Sequence, residues 1–352
     1  MIPISKACVG DEERSAVERV FARNIFARGE ELLRFEEEFA KYCGSKYAIT
    51  TNSCTSALIA ALKSCNITGE VITAPNSFIA TTNAIILAGA KPVFVDIEPE
   101  TFNIDIKKIE ERITKRTEAI LPIHMYGHPC DLQPIMDLAE KHNLKIIADA
   151  AHAIGANYEN KKIGSVVTSC FSFYPTKPMT VGGEGGMITT NDEMISEKIK
   201  SIIDIETKKS FISYNFRMSE IQAAIGVAQL KKLDKFIEKR RDIAKLYRKL
   251  LTPEVTAPKE KNGVFHSYCY YVIKAKKRDE LKRFLEKKGI ETKVHYPPVH
   301  LCPHIKSLGF KKGMFPVTEK ISEEILSLPI YPDLTESEVE FISNKIREFY
   351  GE

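Results

Sequence analysis

From about residue 45 to residue 190, short apolar runs alternate with helical stretches. That alternation restricts the chain to an α/β fold with parallel pairing. Tyr47-Ala48-Ile49-Thr50 reads as a first strand, and Ser56 to Ser64 as the helix that follows. Glu70 to Thr73, Lys91 to Asp96, Thr117 to Pro122 and Lys145 to Asp149 read as four more strands, with a helix over Phe78 to Ala88. Cys170-Phe171-Ser172-Phe173 and Gly186 to Thr190 complete a mostly parallel, seven-stranded sheet sandwiched by helices. Near residue 230 the pattern changes. Lys231 to Lys249 is rich in Lys and Arg but carries Leu233, Ile237, Ile243, Leu246 and Tyr247 at helical spacing, which reads as a long amphipathic helix with a solvated basic face. A strand near Tyr268 to Ile273, a helix over Arg278 to Lys288 and a last helix over Thr335 to Phe349 suggest a smaller α+β unit. The expected division is a large domain at 1–235 and a small one at 236–352.

Charge and composition narrow the function classes. Basic residues number 51 and acidic residues 47, too even a balance for a nucleic-acid or membrane-surface partner. Hydrophobic residues make up 43% of the 352, enough for a large core. Apolar stretches fall short of a membrane span, and the N-terminus lacks an apolar leader. With eight cysteines and no CxxC pair, a cytoplasmic enzyme with reduced thiols is expected. His124, His128 and Cys130 lie close together, but no familiar zinc spacing completes them, so no metal is expected.

The chemistry concentrates around Lys177. Phe171 to Thr176 precede it, and Gly182-Gly183-Glu184-Gly185-Gly186 follow. Upstream, an apolar run ends in Asp149-Ala150-Ala151-His152. Pyridoxal 5'-phosphate (PLP) needs a lysine amine for its Schiff base and an acid that keeps its pyridine nitrogen protonated. Asp149, at a strand end, suits the second role or caps the next helix, and Lys177, its pKa lowered by Schiff-base formation with desolvation, suits the first. His152, three residues on, could reach the ring hydroxyl or be structural. In open α/β sheets ligands sit beyond the carboxyl ends of the strands. Asn52-Ser53-Cys54-Thr55-Ser56 opens a helix there and could hold a phosphate on its N–H groups, though the same segment is equally an ordinary N-cap. Ser172 is placed to donate to that phosphate. Phe78 could lie on the pyridine ring, or be core. The glycines read as positions of unusual backbone conformation, or as an ordinary tight loop.

These residues, in order, resemble the DegT/StrS-type sugar aminotransferases, PLP enzymes of the aspartate aminotransferase fold. Carrying the resemblance are Phe35 to Ala40, Ser53 to Ala57, Ser77 to Thr81, Asp149 to His152, the Lys177 loop, Asn215 to Ala224, His295 to His300 and Leu328 to Pro332. Cys54, often Gly in the family, and Pro178, often Asn, depart from the pattern. The resemblance implies Lys177 as Schiff-base lysine and proton shuttle, Asp149 at the pyridine nitrogen, His152 near the ring hydroxyl and Phe78 stacked on the ring. It implies Thr55, Ser56 and Ser172 at the phosphate, with Asn215 reaching it from the partner subunit of a homodimer. Arg217, His295 and His300 would lie near the substrate or the dimer seam, and Tyr174 and Tyr296 would shape the sugar pocket or be core. Retention of lysine argues for transamination over dehydration. The implied reaction moves an amino group from L-glutamate to a nucleotide-linked keto-sugar in amino-sugar or surface-polysaccharide biosynthesis. A free ketone such as a cyclitol is the alternative acceptor, and a PLP-binding regulator without turnover is the alternative role.

Overall fold

The computed structural model describes residues 1–206 and 212–351. Helices α1 (Asp11–Arg23) and α2 (Glu30–Cys43) come before β1 (Tyr47–Thr51). Next come α3 (Cys54–Ser64), β2 (Glu70–Thr73), α4 (Ile79–Ala88), β3 (Lys91–Phe94), β4 (Thr117–Ile120), α5 (Leu132–Lys141) and β5 (Lys145–Asp149). Two short strands, β6 (Asn157–Tyr158) and β7 (Lys161–Lys162), precede β8 (Thr168–Ser172) and β9 (Gly186–Thr190). Helices α6 (Glu193–Ile203), α7 (Glu220–Leu230) and α8 (Leu233–Leu250) follow. Among the described residues the main sheet has seven strands in the order β1-β9-β8-β5-β4-β2-β3. Strand β9 runs antiparallel to both its neighbours, while the remaining pairs are parallel. The expected fold class holds.

Burial on both faces explains why these strands read as unbroken apolar runs. Along β8 and β9, Cys170 and Ile188 point into a core packed by α3 and α6, whereas Phe171 and Met187 point into a second core with Phe35 and Phe39 of α2. The two-residue period of a strand sends neighbours to opposite faces.

The C-terminal part builds around β10 (Val255–Thr256), β12 (Tyr271–Ala275) and β13 (Ile325–Leu328), with β11 (Val264–Phe265) pairing instead to β6. Its helices are α9 (Arg278–Lys287), α10 (Pro303–Lys306), α11 (Pro316–Glu324) and α12 (Glu336–Tyr350). Ile243, Tyr247, Tyr271, Ile273, Leu285 and Leu326 share its core.

Two local expectations need correction. Tyr268 does not open the strand: its φ of 48° is left-handed, and β12 begins at Tyr271. The basic face of α8 is not wholly solvated, because Arg240 is 1% exposed. Its Nη1 donates to the carbonyls of Tyr268, Cys269 and Ile330. Arg240 lies on the stripe of Leu233, Ile237, Ala244 and Tyr247, so its burial follows from helical spacing.

Candidate active site

A cavity of about 490 Å³ opens beyond the carboxyl ends of the parallel strands, where β1, β2, β5 and β8 deliver their following residues. The C-terminal segment closes it with Tyr270, Lys293, His295 and Tyr296. Of the residues singled out from sequence, Thr55, Phe78, Asp149, His152, Ser172, Tyr174, Lys177 and His295 line this cavity. Ser56, Asn215, Arg217 and His300 do not.

Asp149 ends β5 and is 5% exposed. Thr81, on the first turn of α4, donates its hydroxyl to Asp149 Oδ2 at 2.7 Å, and the Ala151 N–H donates to Oδ1 at 3.0 Å. Burial pushes the carboxyl up from the ordinary aspartate value, against the pull of these bonds and of Lys177. The cavity thus holds a buried acid whose charge calls for a cation opposite it.

Lys177 Nζ donates to the Tyr270 hydroxyl at 3.3 Å. The sequence led us to expect a lowered lysine pKa. That lowering belongs to Schiff-base formation with desolvation; for the free amine, burial pulls the value down while Tyr270, Cys269 and Cys54 offset burial and leave it raised. His152 accepts the Tyr126 N–H on Nδ1 at 3.4 Å, and its Nε2 lies 3.2 Å from the Tyr296 hydroxyl. Burial, with Lys177 and His295 alongside, holds the imidazole well below its ordinary value, so it is neutral near pH 7. His295 is pushed down to about 3 by burial and by Lys177 and Lys293. Its Nδ1 lies 2.7 Å from Ser327 Oγ, and its ring stacks on Tyr270 with centroids 4.2 Å apart.

At the opposite wall, Ser53 caps α3 by accepting the Ser56 N–H at 3.1 Å. Ser56 spends its hydroxyl proton on Asn52 Oδ1 at 2.6 Å, which leaves Thr55 and the first N–H groups of the helix to face the cavity. Ser172 Oγ accepts the Tyr174 N–H at 3.4 Å and keeps its own proton to donate. Gly186 starts β9 directly beneath this turn. A Cβ there would stand 2.6 Å from the Ser53 carbonyl, so only glycine lets the helix start come this close. Of the other glycines read as conformationally special, Gly182 has a left-handed φ of 82°, while Gly183 and Gly185 do not.

The candidates outside the cavity have other partners. The Asn215 carbonyl accepts from Asn52 Nδ2 at 3.3 Å, and its side chain is exposed. Arg217 donates to Asp204 at 2.8 Å. His300 is buried against Phe315, with Nε2 3.0 Å from Glu319. Phe78, at the N-cap of α4, is 55% exposed and tilts against Tyr296 at 5.5 Å. His124 Nδ1 accepts the Cys130 N–H at 2.9 Å and Cys130 Sγ donates to the Ile123 carbonyl at 3.1 Å, so at least two of the three metal-capable side chains noted in sequence serve the local turn.

Sequence reasoning gave no role to Thr81, which ends one of the matching stretches, and passed over Tyr270. Thr81 lies one helical turn after Phe78, and that spacing was its available signal. Tyr270 was hidden by reading Tyr268 to Ile273 as a continuous strand.

Comparison with known proteins adds to this geometry. The profile of the DegT/DnrJ/EryC1/StrS aminotransferase family matches residues 7–347. GDP-perosamine synthase of Escherichia coli O157:H7 is 36% identical, with 100% of this chain and 99% of that protein covered. A pleiotropic regulatory protein of Geobacillus stearothermophilus is 41% identical over 95% of this chain and 93% of its own. The crystal structure of S. venezuelae DesV in complex with a ketimine intermediate superposes with a TM-score of 0.94 at 33% identity, covering 97% of this chain and 95% of DesV.

Proposed function

The chain belongs to the DegT/DnrJ/EryC1/StrS aminotransferase family, and from that premise we propose that it uses PLP to move an amino group from L-glutamate to a nucleotide-linked keto-sugar. The single observation that carries the reading is one cavity holding a lysine amine and a buried, cation-seeking carboxylate beside an open helix start.

The donor set fits the cofactor. Lys177 would hold it covalently, Asp149 would face its ring nitrogen, and Thr55, Ser172 and the N–H groups opening α3 would take its phosphate. Phe78 and His152 would flank the ring, with Ser56 bracing the helix start. When bound, PLP supplies an electron sink for the negative charge left as a carbon next to nitrogen loses its proton. The chain's own residues do the rest. Lys177 Nζ takes the α-proton of the amino donor and, in the return half, gives a proton to the carbon that receives the new amine. Asp149, kept in place by Thr81 and Ala151, sets the charge facing the ring nitrogen. Neutral His152 offers a hydrogen bond without adding a second cation beside Lys177. Tyr174, His295 and Tyr296 form the wall against which the sugar would lie.

The sugar-nucleotide acceptor follows from relatives such as GDP-perosamine synthase. We further propose a homodimer in which the exposed Asn215 side chain reaches the partner's cavity, with Arg217 and His300 supporting the surrounding loops. The proposed division lies at residue 235, and the proposed location is the cytoplasm. Among the described residues no helix is long and apolar enough to cross a membrane.

The name of the Geobacillus relative favours a second reading, a PLP-bound regulator. One experiment separates them. PLP-loaded protein is mixed with glutamate and a panel of nucleotide keto-sugars and free ketones, and products are read by mass spectrometry. Amine transfer to a nucleotide-sugar supports the reading. Transfer to free ketones alone reassigns the acceptor, and cofactor binding with no 2-oxoglutarate formed supports the regulator.

A further inference from the structure

Tyr270 is the closest hydrogen-bonding partner of the Lys177 amine. Its hydroxyl lies 3.3 Å from Nζ and 3.3 Å from Thr176 Oγ1. The residue is 6% exposed and fixed from several directions. The ring stacks on His295 with an interplanar angle of 17° and meets His152 edge-on at 5.0 Å. The Tyr270 N–H donates to the Tyr126 carbonyl at 3.3 Å. The two carbonyls just before it, those of Tyr268 and Cys269, are held by the buried Arg240 guanidinium. Such bracing leaves the hydroxyl little freedom to turn away from the lysine.

We propose that Tyr270 is a positioning residue for Lys177, its hydroxyl holding Nζ in one place whether or not the amine carries its extra proton. A phenol is suited to this because it accepts from an ammonium and donates to a free amine. A lysine that takes a proton and gives it back must pass through both states without its side chain wandering. This inference deepens the aminotransferase reading by assigning its lysine a partner.

The groups facing Lys177 are Tyr270 and Cys269 ahead of β12, Cys54 opening α3, Asp149 ending β5, and His152 and His295. Burial opposes the ammonium, and Tyr270 leads the influences that offset burial. Removing the hydroxyl therefore moves the Lys177 midpoint down.

Tyr270→Phe keeps the ring and its stacking, so it isolates the hydroxyl; Tyr270→Leu serves if the Phe variant does not fold. Cofactor-free protein is acylated with acetic anhydride across a pH series, and the Lys177 peptide is followed by mass spectrometry. The wild-type midpoint is expected to lie above the variant's. With PLP and glutamate, the variant's half-reaction is expected to slow about tenfold or more while PLP affinity changes less than about threefold. A midpoint within about 0.3 unit of wild type, with an unchanged half-reaction, overturns the proposal. Acylation needs no cofactor, so it judges Tyr270 even if the wild-type protein takes up no PLP, a failure that counts against the aminotransferase reading instead.

Discussion

The two sides of the cavity are built by different means. On the sheet side, Asp149, His152, Ser172 and Lys177 occur within 29 consecutive positions and fall at the ends of two neighbouring parallel strands, β5 and β8. On the C-terminal side, Tyr270, His295 and Tyr296 come from irregular segments beside β12, and their positions depend on contacts with distant residues: Tyr126, Ser327 and Arg240. The sheet side holds the proposed reactive groups at or just beyond the ends of paired strands. The C-terminal side supplies aromatic walls and the hydrogen-bonding partner of the lysine amine, on irregular segments rather than strand ends.

If the sheet side carries the chemistry, losses there should dwarf losses opposite. Lys177→Ala should lower glutamate-dependent amine transfer by ~10⁴-fold or more, measured by 2-oxoglutarate release. A variant within tenfold of wild type would move the chemistry away from this wall. Asp149→Asn should still bind PLP but slow turnover by roughly 10²-fold or more.

The same substitution makes an opposite claim about the empty protein. Burial raises the Asp149 carboxyl above its unfolded value of 3.8, so the folded chain holds that proton more tightly. The stability it contributes is present below the unfolded value and is lost as pH rises through the folded one. At pH 7 the buried charge is a burden, and Asp149→Asn should raise the cofactor-free Tm by roughly 2 °C. Calorimetry on the apo variant tests this, and a fall in Tm would show that the carboxylate is satisfied by Thr81 and Ala151 alone.

On the far side, Tyr296→Phe removes the hydroxyl beside His152 and should change KM for the acceptor by ~3- to 10-fold with little effect on the glutamate half-reaction. His300→Ala should show the smallest catalytic effect. Its side chain is buried against Phe315 and Glu319 and does not line the cavity, so KM should stay within about twofold while Tm falls by roughly 3 °C. A large KM change would put His300 back among the substrate contacts.

These contrasts track what sequence made legible. Strands buried on both faces announce themselves as apolar runs, and the residues at their ends are marked by position alone. Asp149 was readable for that reason, and Lys177 through the segment after β8 and the glycines that follow it. The Lys177 pKa was not, because its direction depends on Tyr270, Cys269 and Cys54, which only the fold assembles. Tyr268 takes a left-handed φ without the glycine that would have signalled a turn, so the strand was read too early and Tyr270 was lost inside it. His300 sits two residues past Pro298 in a stretch that reads like substrate-contacting sequence, yet tertiary packing turns it toward Glu319. Arg240 is the opposite case: its helical spacing placed it on the buried stripe, and its charge masked the signal.

Covalent capture at position 177 is the most direct test. PLP-loaded protein is reduced with borohydride, digested and mapped by mass spectrometry. The expected result is one phosphopyridoxyl group, on the peptide containing Lys177. Its appearance on another lysine, or on none while the protein still transaminates, would contradict the assignment of this cavity.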